Sequence, residues 1–201
     1  MMPEGIVLIV RNDPVGVEAD LVSGRLVCPG CGVGVLARWG FARLRVLRDG
    51  QRVRPRRGIC RSPGCGATHV LLADVCLLRR RDSVEVIGRA LRSMLEEREP
   101  YGEVADGLGV PQETVRGWLL RFRRWAEAVR AHFTRWLLSL MPGRPPPEPT
   151  GSKGADALEA IGAAARAASL RLGIRPVWSW VSALTAGALL ANTSSHWIAP
   201  E

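Results

Sequence analysis

The spacing of apolar residues changes along the chain, and the changes divide it. Residues 1 to about 76 read as β structure. The alternation is clearest in WGFARLRVLRDGQRVRPRRGIC, residues 39 to 60. There Leu44, Val46 and Val53 alternate with Arg43, Arg45, Arg52 and Arg54 around Asp49-Gly50, a strong hairpin signal. In a strand this pattern puts the apolar side chains on one face and the guanidinium groups on the other. From residue 82 to 97 the pattern becomes helical, and residues 100 to 141 hold two further helices. Trp118, Phe122, Trp125, Val129, Phe133, Trp136 and Leu140 follow at steps of three and four. They form one apolar stripe that must be covered, by the C-terminal helices folding back or by a second copy of the chain. Pro145, Pro146, Pro147 and Pro149 then force an extended linker. Beyond it, ADALEAIGAAARAASLRL is an Ala-rich helix closed by Gly173 and Pro176, and residues 177 to 191 read as a buried apolar helix.

The expected fold class is α+β. A β module at 1–76 precedes an all-α region at 77–141 with an extended second helix. A linker at 142–153 leads to a helical pair at 154–201. No internal repeat is visible.

Composition narrows the function. Apolar residues are 47% of the 201, enough for folded cores. The apolar run at the N-terminus is too short for a signal peptide, and the one at 177–191 too short for a span of roughly twenty residues. The expectation is a cytoplasmic, nucleoid-associated protein with no membrane partner. Net charge is +9. The excess is local: nine arginines and one acid, Asp49, lie between Arg38 and Arg61, whereas five basic and five acidic residues cancel between Leu71 and Glu97. Local excess favours a polyanionic partner over a merely solvated surface. Arg43, Arg45, Arg52, Arg54, Arg56 and Arg57 are the candidate phosphate contacts, since a planar guanidinium matches phosphate oxygens.

The cysteines supply candidate chemistry. CPGCG, residues 28 to 32, and CRSPGCG, residues 60 to 66, read together as C-x2-C-x28-C-x4-C. Two thiolates two residues apart can meet one tetrahedral ion, and the following glycine lets the backbone turn beneath it. Cys28, Cys31, Cys60 and Cys65 are the expected ligands of one structural Zn2+. Redox chemistry is the alternative, but reactive C-x-x-C pairs sit at helix N-termini, and the context of Cys31 is β-like. Simple packing is the other. His69 could replace a thiolate, and Cys76 reads as a core residue.

The second informative stretch is YGEVADGLGVPQETVRGWLLRF, residues 101 to 122. It fits a helix-turn-helix. Val104 and Leu108 face inward, Ala105 is small where helices cross, Gly109 takes the turn, Val110 plugs the corner, and Val115 and Trp118 face inward from the second helix. Pro111 suits its first turn, which puts Val110 at the N-cap. The outward residues Gln112, Glu113, Thr114, Arg116 and Gly117 would then face base edges. Arg121, Arg123 and Arg124 would hold phosphates of double-stranded DNA.

These stretches, with CRSPGCGATHVLL, RRRDSVEVIGRAL and GVPQETVRGWLLRFRRWAE, resemble a group of actinobacterial zinc-ribbon plus helix-turn-helix proteins of unknown function. They also resemble the N-terminal DNA-binding region of insertion-sequence transposases. The resemblance implies the same four metal ligands and a DNA reader at 101–121. A transposase catalytic core needs three carboxylates on an α/β scaffold. After residue 141 only Glu148, Asp156, Glu159 and Glu201 remain, with no strand pattern around them. The expected function is non-catalytic: sequence-specific DNA binding by a transcription regulator or mobile-element protein. One alternative is an accessory or targeting subunit of a separate transposase. The other is an RNA-binding zinc-ribbon protein, disfavoured because A-form RNA closes its major groove to a helix.

Overall fold

A computed structural model of the chain describes residues 7–191, and parts of the readings above that fall on 1–6 or 192–201 lie outside them. One short helix apart, strands come first and helices follow. Four strands form one sheet in the order β1-β6-β5-β2: β1 (Val7–Val10), β2 (Leu36–Phe41), β5 (Arg56–Cys60) and β6 (Thr68–Ala73). β1 runs parallel to β6, and the other neighbours are antiparallel. A two-stranded hairpin, β3 (Arg45–Val46) and β4 (Arg52–Val53), is inserted between β2 and β5.

The first 76 residues are not all β. Helix α1 (Pro14–Val22) follows β1. Its start is written locally: the Asp13 carboxylate accepts the Gly16 N–H at 3.0 Å, and Pro14 takes a first-turn position where no donor is required. Val17 and Leu21 from α1 meet Leu36, Leu71, Cys28 and Cys60 in a small core on one sheet face.

The arginine hairpin also departs from expectation. Arg45 pairs with Val53 and Val46 with Arg52, so Arg45 shares the inward side with Val53. Val46 is 53% exposed, Leu47 is buried, and Arg45 donates to the Leu77 carbonyl at 3.4 Å. The strict separation of arginine and apolar faces therefore fails. The cause is register: Leu47 is the residue that enters the core, and a one-residue offset inverts the faces. The turn is at Asp49-Gly50, but as a three-residue loop. Leu47 bonds Gln51 at 2.9 Å, and Gly50 takes φ 84°.

Five helices build the second part: α2 (Val84–Leu95), α3 (Tyr101–Leu108), α4 (Gln112–Leu140), α5 (Lys153–Leu172) and α6 (Val177–Leu184). Ser83 caps α2, its hydroxyl accepting the Val86 N–H. Gly109 ends α3 with φ 62°, where a side chain would strain. Pro111, not Val110, is the N-cap of α4. Val110 is thus freed to plug the core, at 5% exposure.

The stripe on α4 is covered by α5 packing along it. Trp118, Phe122, Val129 and Phe133 are buried, whereas Trp125 is 43% exposed and Ala126 takes its place inside. At about 100° per residue Trp125 falls at the edge of the face centred on Val115, Phe122 and Phe133, and Ala126 falls nearer its middle. Ala157, Ala160, Ala164 and Ala168 line the inner side of α5, and such small side chains let two helix backbones approach closely. His132 Nε2 contacts the Leu184 carbonyl at 2.9 Å, tying α4 to α6. α6 is shorter than the apolar run suggests. It ends at Thr185, and Ala186 turns the chain with φ 49°. One apolar core runs through α2 to α6, so helices on both sides of the linker share it. Among the described residues, no helix is long and apolar enough to cross a membrane.

Candidate metal centre and nucleic-acid interface

Two chain reversals bring the four cysteines together. Cys28 and Cys31 lie in the loop that feeds β2. Cys60 ends β5, and Cys65 lies in the loop to β6. The four sulfurs all lie within 4.8 Å of one another. Cys28 and Cys65 are 3.9 Å apart, and Cys31 and Cys60 are 3.7 Å apart. A tetrahedral ion with S ligands at about 2.3 Å requires S···S edges of about 3.8 Å. The thiols are free rather than paired as disulfides.

The backbone is shaped for thiolates. The N–H groups of Gly30, Gly34 and Ser62 point at the sulfurs of Cys28, Cys31 and Cys60 at 3.3, 3.3 and 3.4 Å. Gly32 and Gly66, each just after the second cysteine of its pair, take φ 72° and 58°. A Cβ on Gly34 would stand 2.4 Å from Cys60 Sγ, so that position has no room for a side chain. Backbone N–H groups, first of Val33 and then of Gly34, lower the Cys31 thiol to about 6. The Ser62 N–H favours the Cys60 thiolate, but burial and the neighbouring thiols outweigh it and push Cys60 up to about 12. Four thiolates cannot all ionise side by side unless a cation balances them. The donor set, its spacing and its N–H···S bonds fit one ion such as zinc.

His69 is buried and directs Nε2 at Cys28 Sγ, 3.2 Å away. It stands beside Cys28 and outside the cluster of four sulfurs. Cys76 is a core residue as expected, and burial raises its thiol. Neither cysteine pair begins a helix, which removes the usual source of redox reactivity.

The outward residues of α4 lie beside one another, with individual differences. Gln112 and Glu113 are exposed, but the Gln112 amide lies over Gly102 of α3, where a Cβ would meet it at 2.6 Å. Arg116 is exposed and pairs loosely with Glu113 at 3.5 Å. Thr114 and Gly117 are half-buried. Arg121 folds back to donate to the Gly117 carbonyl at 3.3 Å. Arg123 and Arg124 are exposed, the latter over the Trp125 ring at 5.5 Å. Arg121 also helps lower the basicity of Arg80, after burial as the main cause. Arg80 therefore lies within electrostatic reach of Arg121 on α4.

The hairpin arginines do not share one surface. Arg43 is exposed without a distinctive contact. Arg57 bonds Thr68 Oγ1 at 3.1 Å, and Arg45 turns toward Leu77. Arg54 and Arg56 stack on Phe41, at 4.7 and 4.3 Å from the ring centre. Arg52 lies nearby on β4.

Compared with protein-family models, curated proteins and solved structures, the chain matches none. Geometry and residue chemistry alone bear on its role.

Proposed function

We propose that the chain is a non-catalytic, sequence-specific binder of double-stranded DNA. In this reading the cysteine module is a zinc ribbon held by one Zn2+, and α3 and α4 form a helix-turn-helix. One observation carries the proposal. α3 and α4 are joined by a tight turn at Gly109, their inner residues are buried, and the outward start of α4 is left uncovered with Arg116 foremost. A helix presented this way fits the major groove, where Arg reads guanine. Arg121, Arg123 and Arg124 would serve phosphates on the flank, and the +9 charge supplies the long-range attraction. Such a protein would act as a transcription regulator or in a mobile element.

Selection of bound sequences from random duplex DNA tests this directly and should return a defined site. Arg116→Ala should then cost about 1–3 kcal/mol at one base pair and relax preference there. Equal loss on all sequences would make Arg116 a phosphate contact, and failure to enrich any site would end the reading.

A further inference from the structure

A cleft of about 530 Å³ opens on the α1 face of the sheet. That volume falls within the roughly 300–1,000 Å³ that holds small ligands. Its inner surface is apolar, formed by Val10, Val17, Val53, Leu71 and Ala73. Its rim carries five arginines, Arg11, Arg38, Arg52, Arg54 and Arg56, against two acids, Asp13 and Glu18.

Both acids are occupied. Asp13 caps α1, and Glu18 bridges Arg38 at 2.8 Å and Arg56. Among the described residues, neither Arg52 nor Arg54 has a carboxylate partner. Arg54 is held by its stack on Phe41. Stacking fixes a guanidinium plane while leaving its N–H donors free, so the group is positioned yet unsatisfied. Arg52 and Arg54 stand on either side of Val53 in the chain, and both line the cleft. Two such guanidinium groups can bracket a group with several acceptor oxygens. The β2 edge is bent here as well: register slips between Arg38 and Gly40, with Gly40 at φ 131°. Such bulges re-aim the side chains beside them.

We propose that this cleft binds one nucleotide, with its base on the apolar floor and its phosphate between Arg52 and Arg54. The inference is independent of duplex recognition by α4. A free mononucleotide and an unpaired nucleotide of a strand offer the same chemistry, and they can be told apart.

The test titrates the zinc-loaded full chain by calorimetry with a nucleoside 5′-monophosphate, the matching nucleoside, inorganic phosphate and a short single-stranded oligonucleotide. The monophosphate should bind at least about tenfold tighter than the nucleoside or inorganic phosphate, because each lacks one half of the contact. Arg52→Ala and Arg54→Ala should each weaken it by about tenfold, with metal content unchanged. Both side chains are exposed, so neither change threatens folding. An oligonucleotide that binds no tighter than the monophosphate identifies the free nucleotide as occupant. A much tighter, salt-dependent oligonucleotide, weakened by the same substitutions, identifies a strand. The proposal falls if neither form binds at millimolar concentration, if inorganic phosphate alone matches the monophosphate, or if both arginine variants bind like the unaltered chain.

Discussion

The two parts of the molecule hold themselves together by different means. The helical part has 32 buried apolar residues in one continuous cluster, among them Trp118, Phe122 and Phe133. The β part has two clusters of six and five residues, and two of the six are the cysteines Cys28 and Cys60. A core that small leaves little surplus after chain entropy, and small domains commonly make up the difference with a metal. Hydrogen bonds and ion pairs cross the seam between the parts. Ser182 donates to the Cys76 carbonyl at 2.7 Å, Arg48 meets Asp82 at 2.6 Å, and Arg175 meets Asp74 at 3.2 Å. The expectation is that the helices are self-sufficient and that the β part depends on an ion held by its four thiolates.

Removing the metal is the strongest way to break this contrast. Structural zinc contributes on the order of 10 kcal/mol to small modules. Chelation, or Cys60→Ser, should expose residues 7–76 to proteolysis while α2 to α6 stay helical and protected. Metal analysis of the intact chain should give one ion per chain. One transition shared by both parts on chelation would show that the seam couples them and that the contrast is false. A chain purified without metal and folded throughout would remove the metal centre itself.

Phe133→Ala attacks the other side. Phe133 is fully buried between α4 and its neighbours, and truncating such a side chain costs about 3–5 kcal/mol. Melting of the helical part should shift by that amount, while the zinc content stays at one. If metal affinity fell in parallel, the helical core would be supporting the cysteine loops across the seam.

These contrasts were unevenly visible in the order of residues. α4 was legible because 29 residues repeat one period, so a single outlier such as Trp125 cannot hide it. The clustering of the four cysteines was legible because knuckle spacing and its glycines are local requirements. α1 was missed: its nine residues bury only Val17 and Leu21, too few to establish a period, although Asp13-Pro14 announces its start. The placement of the arginines was not legible at all. It depends on strand register, and a one-residue slip at Leu47 sends Arg45 inward and Val46 outward. The cleft at Phe41 combines β1, α1, β2 and β4, so no local window contains it.

The smallest effect concerns where the linker meets the helical part. Asp156 in the first turn of α5 accepts from the Thr150 hydroxyl at 2.6 Å and the Thr150 N–H at 2.7 Å, pinning the end of the Pro-rich segment. Those two bonds, hydroxyl first, hold its carboxyl below the usual value. A depressed carboxyl adds stability above its unfolded pKa of about 4, and that stability is lost as pH falls through the lower folded value. Asp156→Ala should therefore lower the melting temperature of the helical part at pH 7. The gap from the unaltered chain should close as pH drops below about 4. Acid also strips metal from the β part, because thiolates must stay deprotonated to bind it. That loss should be the same in both chains. A gap that stays constant across the acid range would mean that the Asp156 charge contributes nothing. Metal loss that differed between the two chains would mean that acid acts on the two parts through one event.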